Sequence, residues 1–200
     1  MFKYNGAFSM LAATLLFACS ATDASGDPAG PTGSEPVGAR SEQLKTFPSL
    51  PSPILAVPDD SRLAFYYDAI GVQIYACQAT ASGYAWTFQA PEASLFDRRG
   101  RLVVKHYGGP TWESVDDHSK VVAKKLQEFT AHANAIPELL LQATTHEGKG
   151  VMDDVSYIQR LDTVGGLAPS AGCDAAHVGA TARVDYTASY FFSRPQAHCQ

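Results

Sequence analysis

Beyond residue 46 the chain alternates apolar and polar residues in short runs. Leu63, Phe65 and Tyr67 alternate, as do Val72, Ile74 and Ala76, and late in the chain Val184, Tyr186, Ala188, Tyr190 and Phe192. Shorter apolar pieces lie between: Trp86 with Phe88, Leu95-Phe96, Leu102-Val103-Val104, Leu139-Leu140-Leu141 and Val155 with Tyr157-Ile158. Turn signals separate them, among them Ala81-Ser82-Gly83, Gly108-Gly109-Pro110, Gly148-Lys149-Gly150 and Gly165-Gly166. A period of two places successive side chains on opposite faces, and frequent breaks return the chain antiparallel. The pattern predicts an all-β domain, an antiparallel β-sandwich or flattened barrel with at most one or two short helices. Asp97-Arg98-Arg99-Gly100-Arg101 reads as a hairpin loop with Gly100 left-handed. One stretch is ambiguous. Over 119–129, Val122, Leu126 and Phe129 fit a helix face, and on pattern alone helix is narrowly preferred, whereas alternation over 120–123 fits a strand.

The first 46 residues follow other rules. Lys3 precedes an apolar run over 7–18, too short to cross a bilayer. Charge, short apolar run and small residues read as a secretory signal. Leu16-Phe17-Ala18-Cys19 resembles the bacterial lipobox, in which the cysteine is acylated, although Phe17 is larger than the motif prefers. Ordinary cleavage after Ser20 is the rival reading. Residues 20–46 are rich in Ser, Gly, Pro, Ala and Asp and hold little that a core could use. The expected organisation is a signal peptide over 1–19, a flexible tether over 20–46, a β domain over 47–194 and a short tail over 195–200. The expected location is outside the cytoplasm, as an outer- or cytoplasmic-membrane lipoprotein or, alternatively, as a secreted protein.

Composition narrows the function without choosing it. With 46% hydrophobic residues the chain can build a core, and a net charge of −5 argues against nucleic-acid binding and against a polybasic membrane surface. The membrane would be met only through lipidated Cys19. Export puts Cys77, Cys173 and Cys199 in an oxidising compartment, where a disulfide is expected. Three pairings are open. Cys77–Cys173 is favoured, because Cys77 ends a strand-like run and Cys173 sits in a Gly/Ser/Pro loop, whereas Cys199 is the penultimate residue.

The densest polar group is His106, Tyr107, Trp112, Glu113, Asp116, Asp117 and His118, around a Gly-Gly-Pro turn. Loops on a rigid sheet are where binding residues collect. Trp112 with Tyr107 would make an aromatic platform for a sugar, with Glu113 and Asp117 accepting from its hydroxyls. Alternatively His106, Glu113 and His118 would hold a divalent metal, since two imidazoles and a carboxylate suit zinc or iron. The structural alternative has Trp112 covering the core. Arg160 shares a strand face with Ile158, and pointing inward it would need a carboxylate, for which Glu92 or Glu113 is available; the structural reading is a buried ion pair, and the alternative is an Arg that binds an anion. Gln73, Tyr75 and Cys77 share a face that reads as a hydrogen-bonded second layer. His132, His146, His177 and His198 read as surface residues. No GxSxG, HExxH or GxxxxGK[ST] motif occurs.

Several strings occur together: GVQIYAC (71–77), APEASLFD (90–97), HYGGPTWES (106–114), AIPELLLQA (135–143), VSYIQRLDTVGGLAP (155–169), GCDAAHVG (172–179) and RVDYTASYFF (183–192). In combination they resemble a family of exported bacterial and fungal proteins catalogued only as a domain of unknown function, over about 48–193. Relatives usually carry Trp where this chain has Glu138 and Pro where it has Asp185. Some fungal members bear a malate-dehydrogenase label, but no GxGxxG follows a strand here, so a dinucleotide would have no cradle. The resemblance implies a strand rather than a helix over 119–129. The expectation is a cell-envelope binding module without catalysis, taking a small molecule or a glycan through His106, Tyr107, Trp112, Glu113, Asp117 and Arg160. It needs no cofactor. The alternatives are a metal-dependent enzyme and a purely structural envelope protein.

Overall fold

A computed structural model describes residues 47–196. The expected signal peptide and tether, with Cys19, and also His198 and Cys199, lie outside the described residues. Eight strands follow one another: β1 (Ser61–Thr80), β2 (Gly83–Phe96), β3 (Leu102–Tyr107), β4 (Thr111–Ser114), β5 (Lys120–Phe129), β6 (Glu138–Glu147), β7 (Tyr157–Gly165) and β8 (Thr181–Pro195). Each pairs antiparallel with the next, and β8 returns to β1, closing a barrel in strict chain order. Closure resolves the sandwich-or-barrel alternative and removes the sheet edges. Pro53–Leu55 form a single 3₁₀ turn.

The strand over 120–129 settles the ambiguous stretch. Val121 and Ala123 point into the core, while Leu126 is 40% exposed. The apparent helical spacing therefore marks no buried face: most of the second half of β5 is exposed, where packing does not discriminate between periods. The Asp97–Arg101 hairpin forms as expected. Gly100 has φ +74°, and the Asp97 carboxylate accepts the Arg99 and Arg101 amides.

Alternation sorts the side chains into two cores. Inside the barrel lie Leu95, Val104, Trp112, Val121, Leu141, Ile158, Tyr186, Tyr190 and Phe192. On the outer face Leu140, Leu161 and Phe191 pack with Leu55, delivered by the 3₁₀ turn before β1. This outer patch leaves the Gln159 amide facing outward, where it donates to the Leu55 carbonyl at 2.7 Å. At Gly71 the strands approach so closely that a Cβ would overlap the Glu92 carbonyl oxygen. A bulge where Ile74 pairs with Ala90 but Tyr75 with Phe88 leaves Gln89 unpaired in the ladder. It brings the Phe88 ring against Tyr75, with centroids 5.9 Å apart. Cys77 and Cys173 form a disulfide 96 residues apart in sequence. In the chain-entropy model, closing such a loop is worth about 4–5 kcal/mol.

Candidate functional site

One end of the barrel is filled and the other is not. A cavity of about 530 Å³ remains, lined by Gln73, Tyr75, His106, Trp112, Leu139, Leu141, Arg160 and Tyr190, with the exposed Phe88, Gln89, Lys125 and Glu128 around its mouth. An eight-stranded barrel is just wide enough either to be filled by side chains or to hold one small ligand.

The β3–β4 hairpin supplies one wall. His106 pairs across the ladder with Trp112, and both point inward. Their rings stack with centroids 4.2 Å apart and 11° between planes. The turn that follows β3 brings the Thr111 carbonyl 2.9 Å from His106 Nδ1. A carbonyl only accepts, so Nδ1 carries the proton and Nε2 keeps its lone pair. Complete burial pushes the imidazole pKa down to about 3, and the charge of Arg160 acts in the same direction. His106 is therefore neutral at any physiological pH.

The opposite wall comes from β1, β7 and β8. The Tyr75 hydroxyl donates to the Gly166 carbonyl at 2.6 Å, and the Tyr186 and Tyr190 hydroxyls lie 3.2 Å apart. Burial raises the pKa of all three phenols. Arg160, only 9% exposed, donates from Nη2 to the Pro137 carbonyl at 2.7 Å. Its expected carboxylate partner is not there. Glu92 binds Arg183 at 3.0 Å on the outside, and Glu113 also faces outward. Glu138 belongs to the opposite sheet face, where its Oε1 accepts the Asp162 amide. Arg160 thus forms no ion pair among the described residues. Its Nε, Gln73 Nε2 and Trp112 Nε1 have no hydrogen-bond partner there either.

The remaining predicted residues lie elsewhere, for a simple reason. Neighbours in a strand face opposite ways, so Tyr107 and Glu113 are outside when His106 and Trp112 are inside. The Tyr107 hydroxyl donates to Glu113 Oε2 at 2.8 Å, and His118 Nδ1 lies 3.6 Å from Oε1. Partial burial and this carboxylate push the phenol up to about 12, while the Tyr107 hydroxyl and Lys120 hold Glu113 below its ordinary range. Asp117 is a loop staple, accepting the Ser119 hydroxyl at 2.6 Å and the Val151 amide at 2.9 Å. Those bonds pull its pKa down to about 2. Trp112 and Tyr107 accordingly form no common platform. His106 does not join Glu113 and His118, and no cluster of three or more His, Cys, Asp or Glu side chains suited to a metal occurs among the described residues. His146 bonds the Val155 carbonyl, and His177 pairs with Asp174.

With this geometry in hand, comparison with known families is specific. The family described as "Protein of unknown function (DUF3455)" matches residues 58–194. The chain belongs to that family. No curated protein and no solved structure matches it. The DUF3455 match runs from just before β1 to the penultimate residue of β8, so barrel and family domain coincide.

Of the polar residues that wall the cavity, three carry no site reading in the sequence: Gln73 and Tyr75, which read as a second layer, and Tyr190, which reads only as part of a strand. The signal was present. Gln73 and Tyr75 are polar or amphipathic residues at the inward phase of β1, where a filled barrel would carry aliphatic ones.

Proposed function

We propose that this DUF3455 protein is an exported binding module that takes one small organic molecule into its barrel cavity without transforming it. The observation that carries this reading is the 530 Å³ space, walled by aromatic and aliphatic side chains with a few convergent polar groups. Its titratable groups speak for binding rather than proton transfer. Burial holds His106 neutral well below pH 7 and raises the phenols above their ordinary value, so none is tuned to exchange a proton near neutrality. The Cys77–Cys173 disulfide fits an oxidising compartment, and no helix among the described residues is long and apolar enough to cross a membrane. On this reading Cys19 carries the lipid that holds the barrel at the envelope, and Cys19→Ser should release the protein into the soluble fraction.

The binding claim is tested with N-phenyl-1-naphthylamine, a neutral apolar fluorophore. Its emission should rise on mixing with the protein, and Leu139→Trp, which narrows the cavity, should weaken the rise at an unchanged melting temperature. No rise with the wild-type protein, or an equal rise with Leu139→Trp, would reject the cavity as the binding site.

A further inference from the structure

Resting on that reading, we propose that the cavity recognises a monoanion, a carboxylate at the head of an apolar body, through Arg160 with Gln73 and Trp112. Three observations converge. The first is an unbalanced charge. A guanidinium remains protonated at every accessible pH, and burying it without a counter-ion is costly. Arg160 is nine-tenths buried, and each carboxylate that could have faced it is engaged or turned away. Glu92 pairs with Arg183, Glu113 accepts from Tyr107, and Glu128 pairs with Lys125 at the mouth.

The second is the chemistry of the orphaned groups. Arg160 Nε, Gln73 Nε2 and Trp112 Nε1 are all donors, all buried, and all belong to side chains lining this cavity. Buried polar groups are ordinarily satisfied, so three partnerless donors around one space call for acceptor atoms from outside the chain. The nearby hydroxyls do not supply them: Tyr75 donates to Gly166, Tyr186 and Tyr190 bond each other, and although Tyr190 also takes a bond from the Arg160 side chain, the three donors keep no partner.

The third is the surroundings. Leu139, Leu141, Phe88 and the Trp112 face offer apolar surface, suited to a hydrocarbon or aromatic body. A single guanidinium balances one negative charge, and its planar fork matches a carboxylate in two parallel bonds. A phosphate dianion would bring a second charge, and among the described residues no other cation lines the interior; Lys125, at the mouth, is already paired with Glu128.

The test is calorimetric titration of the full chain with 2-naphthylacetate and with 2-naphthylacetamide, which share shape and apolar body but differ in charge. The carboxylate should bind at least about tenfold more tightly, as expected for a charge-assisted bidentate contact. Arg160→Met should bind both equally, at the affinity of the amide. Equal affinities for the wild-type protein would overturn the anion subsite while leaving the binding module standing, and this comparison needs no variant. An Arg160→Met protein that kept the preference would overturn the assignment to Arg160. Failure of both compounds to bind the wild-type protein would overturn the subsite and the binding module together.

Discussion

The two faces of the β3–β4 hairpin are built from adjacent residues and obey opposite rules. Outside, Glu113 takes a hydrogen bond from Tyr107 and lies near His118 and Lys120, while Lys120 also reaches Glu147. Water screens these charges, and such pairs contribute little. Inside, one residue away in each strand, His106 is neutral, Trp112 is stacked against it, and Arg160 has no ion-pair partner among the described residues and an unpartnered Nε. The face crowded with charges is thus electrostatically quiet. The face lined by Arg160 keeps three unpartnered donors, and low-dielectric surroundings amplify whatever is left unbalanced. A count of polar residues per loop misleads about function; the informative quantity is polarity that packing has failed to satisfy.

The comparison can be broken or sharpened by mutation. Trp112→Ala removes the largest side chain from the inner wall, and should cost about 3–5 kcal/mol in denaturant unfolding. A loss below about 1 kcal/mol would mean that the stacked wall does not support the barrel. Next comes acid sensitivity. His106 has a folded pKa of about 3 against an ordinary value of 6.5. Below the ordinary value the unfolded chain takes up a proton that the folded barrel refuses, so stability falls as pH drops from 6.5 towards 3. One proton gives a slope of at most about 1.4 kcal/mol per pH unit. His106→Phe should remove that slope between about pH 6.5 and 5, above the range in which ordinary carboxylates titrate. A wild-type unfolding midpoint that stays flat over the same interval would contradict a buried neutral imidazole.

Arg160→Met tests the inner charge by stability alone. Replacing a buried guanidinium that has no counter-ion with an apolar chain of similar length should stabilise the ligand-free protein by about 1–2 kcal/mol. Destabilisation of that size would instead make Arg160 a structural brace through its bond to Pro137. The smallest effects belong outside. Glu113→Gln should change stability by less than about 1 kcal/mol at neutral pH. Asp117, with its pKa lowered from 3.8 to about 2, stabilises the fold above its ordinary value and loses that contribution as pH falls through the interval. Asp117→Asn should therefore flatten the most acidic part of the unfolding profile and leave the region around pH 6 unchanged.

Much of the architecture was legible before any coordinates. Alternation announced the all-β class, Asp97–Gly100 announced its hairpin, and the lone strand-ending Cys77 pointed to the loop holding Cys173. The site was legible only in fragments. His106, Trp112 and Arg160 line the cavity, but the sequence groups them with Tyr107, Glu113, Asp117 and His118, because neighbours in sequence read as neighbours in space. Parity already forbade that grouping, since 106 and 107, like 112 and 113, cannot share a face once they lie in strands. The partner expected for Arg160 failed for a different reason: whether Glu92 reaches it depends on which way β2 turns its side chains, and a sequence pattern does not show that.

Local chemistry by itself determined that these residues would be strands, where they would turn, and which residues within each strand would travel together. Which face looks inward was decided only by closure. Both faces carry apolar residues, Leu139 and Leu141 on one and Leu140 on the other, so a period of two is symmetric between them. Pairing of β8 with β1 broke the symmetry, made one set a wall and the other a surface, and left Arg160 facing a space that nothing in the described barrel fills.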